Sequence, residues 1–556
     1  MILLVLYYII VFFIATVLGI YTSAFLKQKH ENVFYNSVFG IAIISLLSIV
    51  FFISGPVNLS ALLVIIVLPV VLIWLKPNVF IAEFKSIKNF YQSLDLIEKV
   101  YVFTIITIIS YQSAQASLIH DDGMYYQQTI LWAQKHGITK GLANLHPAFG
   151  LFSSWHLFTA LIDTANLGLP AFHHYNGLIL LAFILYFVFE TKINPQFNAF
   201  SKLFLIVLPL LGYMFLTAPN TDLPLILVTI LLFYNVIIKN QKDISLFLLS
   251  IFAFTIKPSA LLAILIGFIL FYYTLKSKKI IVYLMFTMIF GFLIIYKNIV
   301  LSGYPLYPLS FPNVTSVEWK VPEEVNQFYK TGIKSWGVSD SFKINEIAEI
   351  GSEKIIKRFN TWITRGGYKG LMNKLMLTFV LIFGLLFVFK NKSDIKALVT
   401  ILILFCVIIL DWLYLTQYRL MLPTFVVLVL YVWHKTELIN INKKFLLITS
   451  LLLIIIAFVP FSLLNQTSRN KSITNFKGFN TKYLVLPFSQ FYLGENNKRY
   501  NKFGSFNYYE DLSYCWQCPL PCQSMGQINL LNYYGYEAAY IDTNNYAKGF
   551  KLVRIN

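Results

Sequence analysis

The sequence predicts an all-α polytopic membrane protein with a small extracytoplasmic appendage, α+β or β-rich, at its C-terminal end. Three observations predict this. Of 556 residues, 58% are hydrophobic and 12% charged, and mean hydropathy is +0.68, more apolar surface than a water-soluble chain can hide. Long, nearly uncharged runs recur from residue 2 to residue 464. Lysines collect in the short segments between those runs, as the positive-inside rule requires of loops on one face of a membrane.

Taken in order, the runs lie at 2–25, 37–54, 59–75, 98–119, 172–190, 200–217, 222–238, 280–300, 371–389, 395–411 and 444–464. Residues 1–25 lack a basic n-region and a small-residue cleavage site, so they read as a retained first span. The stretch 244–275 is long enough for two short helices broken at Lys257 and Pro258, and 412–434 supplies a shorter segment. The expectation is about 14 crossings.

The formal net charge of +19 suggests a nucleic-acid partner only until its distribution is considered. The cations sit at Lys27/Lys29, Lys76/Lys85/Lys88/Lys99, Lys192/Lys202, Lys239/Lys242, Lys276/Lys278/Lys279, Lys390/Lys392/Lys396 and Lys435/Lys443/Lys444, parcelled between spans with no basic patch for nucleic acid. If those loops are cytoplasmic, both termini are extracytoplasmic. The short loops SGPVN, APNTD and LTQYR are then outside. The expected organisation is a transmembrane domain, 1–465, with outer loops at 118–170 and 301–370, and a small extracytoplasmic domain, 466–556. Every unusual polar element is expected on one face.

Chemistry concentrates in 118–163, LIHDDGMYYQQTILWAQKHGITKGLANLHPAFGLFSSWHLFTALID. Asp121 and Asp122 stand at the end of a span. They read either as an interfacial anchor or as carboxylates at the membrane–water boundary, one taking a proton from an acceptor hydroxyl and the other orienting it. Tyr125, Gln128 and Trp132 fall at helical spacing, as on a helix lying along the membrane surface. Gly137 and Gly141 end that helix. Asn144, His146, Ser153, Ser154 and His156 follow, as loop hydrogen-bonders singly or as the wall of a polar site together. Asp222, beside Asn220 and Thr221, reads as a helix N-cap or as a second outer acid. Lys257, Lys297 and Arg419 face outward near the membrane plane, where a lone charge is costly, although Lys297 reads best as a snorkelling lysine.

The aspartate at the end of an early span, in a first large outer loop, resembles the GT-C superfamily of polyprenyl-phosphate-sugar-dependent glycosyltransferases. More closely, DDGMYYQQTILW…GLANLH…FGLFSSW resembles a family of bacterial membrane proteins associated with surface polysaccharides. The matching positions are Asp121, Tyr125, Gln128, Trp132, Gly141, Leu142, Asn144, Leu145 and His146. The segment LSGYPLYP and a tail bearing Cys515, Trp516, Pro519, Leu520, Pro521 and Cys522 match as well. Tyr126, Ala148 and Phe152 depart from the His, Arg and Asn expected there.

The resemblance implies a multi-pass protein of the bacterial inner membrane, active on its extracytoplasmic face. It would transfer sugar from a polyprenyl-phosphate donor to a glycan or lipid-linked acceptor. Asp121 and Asp122 are its catalytic candidates; Tyr125, Gln128, Trp132, Asn144, His146, His156 and Asp222 its substrate-binding ones; Lys257 and Arg419 would meet the donor phosphate. Membrane lipid and polysaccharide-assembly proteins are the expected partners. No cofactor is required; magnesium or manganese could serve the scheme, but no residue pattern demands either. Other readings are a polysaccharide polymerase or ligase, which would lean on arginines of the long loop (Arg358, Arg365), and a flippase or transporter of lipid-linked glycans. Of the four cysteines, Cys406 reads as a small core residue of a span. Cys515, Cys518 and Cys522 read as a disulfide set or as three ligands of a metal site, the resemblance favouring Cys515–Cys522. Trp319, Trp336 and Trp362, in a loop that reads as a surface lid, offer faces for sugars.

Overall fold

A computed structural model describes residues 1–28, 30, 32–117, 119–339, 343–390, 393–436, 442–458, 481–487, 499–503, 506–510 and 515–555. Two apolar helices open the chain, α1 (Ile2–Phe25) and α2 (Val33–Ser54). They cross almost backbone to backbone. A Cβ on Gly19 would lie 1.8 Å from the Asn36 carbonyl oxygen, and one on Gly40 1.7 Å from that of Ala15. Close approach through small residues is how helices gain dispersion energy in lipid, where no hydrophobic force acts between them. A Thr16–Ser37 hydroxyl bond of 2.8 Å adds to the crossing.

The pair α3 (Leu59–Leu75) and α4 (Pro77–Ser93) bends by 101°, with Pro77 in the first turn of the amphipathic second helix. α5 (Leu96–Ser113) begins at a capping box made by Asp95 and Glu98. A π turn (Asp122–Tyr126), α6 (Gln127–His136) and α7 (Ser154–Leu161) follow, then α8 (Asn176–Ile193), α9 (Asn198–Gly212), α10 (Asp222–Phe233), α11 (Ile244–Ile256), α12 (Leu261–Thr274) and α13 (Ile280–Ser302). Three amphipathic helices come next, α14 (Glu323–Val338), α15 (Ile344–Ser352) and α16 (Ile355–Thr364). Four more complete the bundle: α17 (Gly367–Lys390), α18 (Ile395–Leu415), α19 (Tyr418–Thr436) and α20 (Lys444–Phe458).

Among the described residues, six helices are long and apolar enough to cross a membrane: α1, α2, α8, α13, α17 and α18. The count is seven if the bent α3–α4 pair is one span. This corrects the expected 14. Hydropathy counts apolar residues, whereas crossing needs about 20 of them in one helix. The runs that became α11 and α12 fold into helices of 13 and 14 residues. The run at 200–217 breaks into α9 and a 3₁₀ turn, and that at 222–238 into α10 and a π turn. Cys406 is also not a core residue: it is exposed on α18.

The connecting segments meet at two ends. At one, Lys192 pairs with Glu98 at 2.5 Å, Lys239 with Glu190 at 3.2 Å, Lys435 with Asp394 at 3.1 Å, and Lys443 with Glu98 and Asp95. A cavity of ≈ 340 Å³ opens here, lined by polar side chains including His30, Asn32, Tyr186, Glu190 and Asn235. Polar chemistry is therefore not confined to one face, as the sequence suggested. Glu190 ends an apolar run and gives no outward sign that the ends of two other helices, at Asn32 and at Tyr234 and Lys239, fold around it.

The outer loops gather at the other end together with the appendage. Val57 N–H donates to Ala133 O and Ile138 N–H to Phe52 O, seating α6 on the α2–α3 turn. The appendage is α+β among its described residues: antiparallel pairs β1 (Arg499–Phe503) with β2 (Phe506–Glu510) and β3 (Tyr536–Tyr540) with β4 (Phe550–Arg554), and a helix at Met525–Tyr533. The run TKYLVLP, with its strand-like alternation, instead begins with a 3₁₀ turn at Thr481–Leu484. Residues 466–480, 488–498, 504–505, 511–514 and 556 of the expected C-terminal domain lie outside the described residues.

Gly19→Ala is expected to lower the melting temperature in detergent by the equivalent of about 1–3 kcal/mol of overpacking. Gly291→Ala on α13, where a Cβ would meet nothing within 4 Å, is the control and should melt like wild type.

Candidate functional site

The π turn carries the acid pair, and its two members have different surroundings. Asp121 faces the mouth of the bundle, its side chain 17% exposed. It accepts a 2.9 Å bond from Arg419 Nη1. Arg419 stands one residue into α19, after the left-handed Thr416 that ends α18 (φ 58°). Its Nε donates to Gln417 Oε1 at 3.1 Å, and Gln417 Nε2 donates to Ile333 O of α14 at 2.9 Å. Burial would push the Asp121 carboxyl up, but Arg419, aided by His120 and Lys257, holds it below the usual carboxylate range.

Asp122 is fully buried. Its Oδ1 accepts from Gln127 Nε2 at 2.8 Å. Burial pushes its carboxyl up to about 6, against the pull of Ser117, Gln127 and His173. Of the two, Asp121 is placed to meet a substrate and Asp122 to hold the turn.

A second ion pair stands beside the first. Lys257 Nζ donates to Asp222 Oδ1 at 2.5 Å, with Asp222 3% exposed and Lys257 26%. Asp222 opens α10, where the helix N-terminus favours negative charge. Its own N–H donates to Asn220 Oδ1. Arg419 also lies in the field of Asp222, so two carboxylates and two cations form one neutral set.

Aromatic rings wall this set. Tyr125 and Tyr126 meet edge to face at 4.6 Å, Tyr125 stacks on His146 at 5.5 Å, and Tyr126 leans on His156 at 4.8 Å. Tyr329 of α14 lies close enough to feel both Asp121 and Arg419. Burial lowers His146 to about 4 and His156 to about 3, so both rings are neutral near pH 7. Ala148 N–H donates to His146 Nδ1 at 3.1 Å, which fixes the neutral ring's proton on Nε2. That Nε2–H is buried and has no partner among the described residues.

Asp121, Tyr125, His146, His156, Asp222, Lys257 and Arg419 are thus brought together. The other expected site residues are engaged elsewhere. Gln128 Nε2 donates to Trp516 O and Cys518 O, both at 2.9 Å. Asn144 Nδ2 donates to Trp319 O at 2.9 Å and Phe550 O at 3.1 Å, and Trp132 packs edge-on against Phe550. All three hold the appendage, and α6 is covered by it instead of lying on a membrane surface. Lys297 does not snorkel: it turns inward and donates to Leu151 O and Phe152 O at 2.7 and 2.8 Å. Arg358 donates to Leu413 O, and Arg365 to Trp336 O and Gly337 O. Trp362 is buried and offers no face to a sugar. Cys515 and Cys522 form a disulfide, and Cys518 is buried outside it.

Sequence reasoning missed Tyr126, Asn220, Tyr329 and Gln417 as parts of the site. Tyr126 carried a signal, since it replaces an expected His. Nothing in the sequence places α14 against Arg419.

No group of three or more His, Cys, Asp or Glu among the described residues is arranged to hold a metal ion. Asp121 and Asp222 each face a cation instead, so these residues do not fit a magnesium or manganese site.

A family model described as a domain of unknown function, DUF8201, matches residues 1–426. The chain belongs to the DUF8201 family. No curated protein and no solved structure matches it. The match includes every residue of the neutral set and stops short of the disulfide loop, so the DUF8201 region carries the ions and the appendage packs on the turn and loop behind them.

Asp122 leads to a pH prediction. Its folded-state value is raised from 3.8 to about 6, so its ionised form destabilises the fold above pH 6, and protonation relieves this as pH falls toward 4. Asp122→Asn should therefore melt no lower than wild type at pH 7.5. Wild type should gain on it by about 2 kcal/mol between pH 7.5 and 4.5, as read by thermal unfolding in detergent.

Proposed function

We propose that this DUF8201 protein is a GT-C-like glycosyltransferase of a bacterial inner membrane. It would move a sugar from a polyprenyl-phosphate donor to a surface glycan or lipid-linked acceptor on the extracytoplasmic face. The observation that carries the reading is the Asp121–Arg419 pair. An acid and a guanidinium 298 residues apart meet at 2.9 Å, both partly exposed, at the end of an apolar bundle. A lipid-anchored phosphate and a soluble hydroxyl would meet at such a boundary.

The transfer is a displacement at the anomeric carbon. The acceptor oxygen bonds to that carbon, the carbon–oxygen bond to the phosphate breaks, and polyprenyl phosphate leaves with the electron pair. Asp121 takes the acceptor's proton. Arg419 meets the phosphate through its planar fork. In the free protein Arg419 makes Asp121 a poor base. When the donor phosphate takes a share of the guanidinium, Asp121 loses part of its partner and its proton affinity rises. The base is thus activated by the substrate it serves. His146 Nε2–H is a neutral donor for a sugar hydroxyl or phosphate oxygen, and Tyr125, Tyr126 and Tyr329 give faces on which a sugar ring can lie.

A polymerase or ligase resting on long-loop arginines is less favoured, because Arg358 and Arg365 are committed to backbone carbonyls. A carrier of lipid-linked glycans is the second reading, drawing on the polar cavity at the opposite end.

The test compares surface glycan in the source bacterium with wild-type, Asp121→Asn and Arg419→Lys protein at equal membrane levels. Asp121→Asn should cut transfer at least about 100-fold, as loss of a general base does. Arg419→Lys should cut it about tenfold, because the charge stays and the fork is lost. Lipid-linked sugar should accumulate on the outer leaflet. Accumulation on the inner leaflet would favour the carrier, and wild-type glycan with Asp121→Asn would overturn the transferase.

A further inference from the structure

The Cys515–Cys522 loop lies outside the matched family region, yet it touches the acid-bearing turn at more points than any part of that turn's own neighbourhood requires. We propose that this disulfide loop is the clamp that positions the Asp121–Asp122 turn, with Trp516 and Gln517 as its positioning residues. The proposal rests on the reading of Asp121 as the reacting group.

A π turn closes i→i+5 rings of poorer geometry than an α-helix, so it persists where outside contacts hold it. Here Gln127 N–H donates to Asp122 O across such a ring, and the outside contacts come from the loop. Trp516 N–H donates to Gly123 O at 3.0 Å. The Trp516 indole lies so close above that a Cβ on Gly123 would stand 2.7 Å from its Cε2; only glycine fits beneath the ring. Gln128 Nε2 reaches back to the Trp516 and Cys518 carbonyls. Gln517 Nε2 donates to Gln127 Oε1 at 3.0 Å, which turns the other end of that amide toward Asp122 Oδ1 at 2.8 Å. A three-residue relay therefore runs from the disulfide loop to the buried acid.

The loop is built to be rigid. All three of its cysteines are buried against one another, and Cys518 N–H donates to Cys515 O at 2.8 Å. Trp516 has φ 42°, a left-handed backbone that costs a residue with a side chain, and the disulfide-closed turn holds it there. Gln523 Nε2 fixes the loop's far side to Leu145 O at 3.0 Å, beside His146. The clamp spans the turn and the histidine loop, so it sets Asp121 and His146 in one frame.

The test is hydrogen–deuterium exchange of the detergent-solubilised full chain, reading peptides over 119–130 and, as a folding control, over 33–54. Wild type is compared with Trp516→Ala, Gln517→Ala and the Cys515→Ser/Cys522→Ser pair. The clamp predicts about tenfold faster exchange at 122–128 with the control unchanged. Gln517→Ala removes a single amide, so it decides the matter if the other variants fail to fold. It should also raise the pH at which wild-type-like protein gains stability over its Asp122→Asn counterpart, because the freed Gln127 amide no longer favours the carboxylate; a merely structural role would leave that midpoint in place. Unchanged exchange and an unchanged midpoint in Gln517→Ala would overturn the clamp. Faster exchange in Gln517→Ala, with normal surface glycan in Asp121→Asn, would uphold the clamp and remove the transferase.

Discussion

A carboxylate at the edge of hydrocarbon needs a cation, and the rest of the outer end follows from how Asp121 gets one. Its partner, Arg419, comes from the start of α19, so the pair ties the first large loop to the last third of the bundle. Arg419 is in turn aimed by Gln417, and Gln417 is fixed by the α14 carbonyl of Ile333. The long segment between α13 and α17 is thereby drawn over the mouth. It brings Tyr329 to the site and commits Arg358 and Arg365 to holding the cover in place. Removing Asp121 would leave a partly buried guanidinium without its nearest anion, so its loss bears on the arrangement of all four elements.

Neutrality of the ion set has a functional consequence. Two carboxylates and two cations leave no standing positive charge to trap phosphate, so the site does not bind anions indiscriminately. On the proposed reading, a phosphate would enter by competing with Asp121 for Arg419, or with Asp222 for Lys257. Either competition would free a carboxylate at the moment an anion arrives. That would couple binding to base activation without a conformational change of the bundle.

Several parts of this were legible in the sequence. An Arg in a short loop that otherwise avoids cations, and an Asp at the end of an apolar run, are both costly, and cost singled out the two residues that meet as an ion pair. The break between α11 and α12 at Lys257 was legible too, but the span count was not, because a hydropathy run does not record where α9 and α10 give way to 3₁₀ and π turns. Gln128, Trp132 and Asn144 were misjudged for a related reason. Polar and aromatic residues beside a site look alike from the sequence whether they face a ligand or another part of the chain. Gln128 and Asn144 donate to carbonyls of Trp516, Cys518 and Phe550, some 400 residues away, and Trp132 packs on the Phe550 ring. Backbone acceptors carry no sequence signature, so side-chain patterns cannot find them.

The two ends of the bundle show why one is a site and the other a seam. Glu190 is fully buried, and both its oxygens are engaged, by Asn32, Asn194, Tyr234 and Lys239. Both oxygens already accept from the protein, so the network locks helix ends together. At the outer end Asp121 and Arg419 are 17% and 34% exposed, and His146 keeps an unpartnered Nε2–H. An unsatisfied buried donor costs about 1–3 kcal/mol; others occur elsewhere among the described residues, Trp433 Nε1 toward the opposite end among them, but this one stands beside two partly exposed ions. The asymmetry lies in satisfaction, not in charge. It separates a place that holds the protein together from one that is incomplete until something binds.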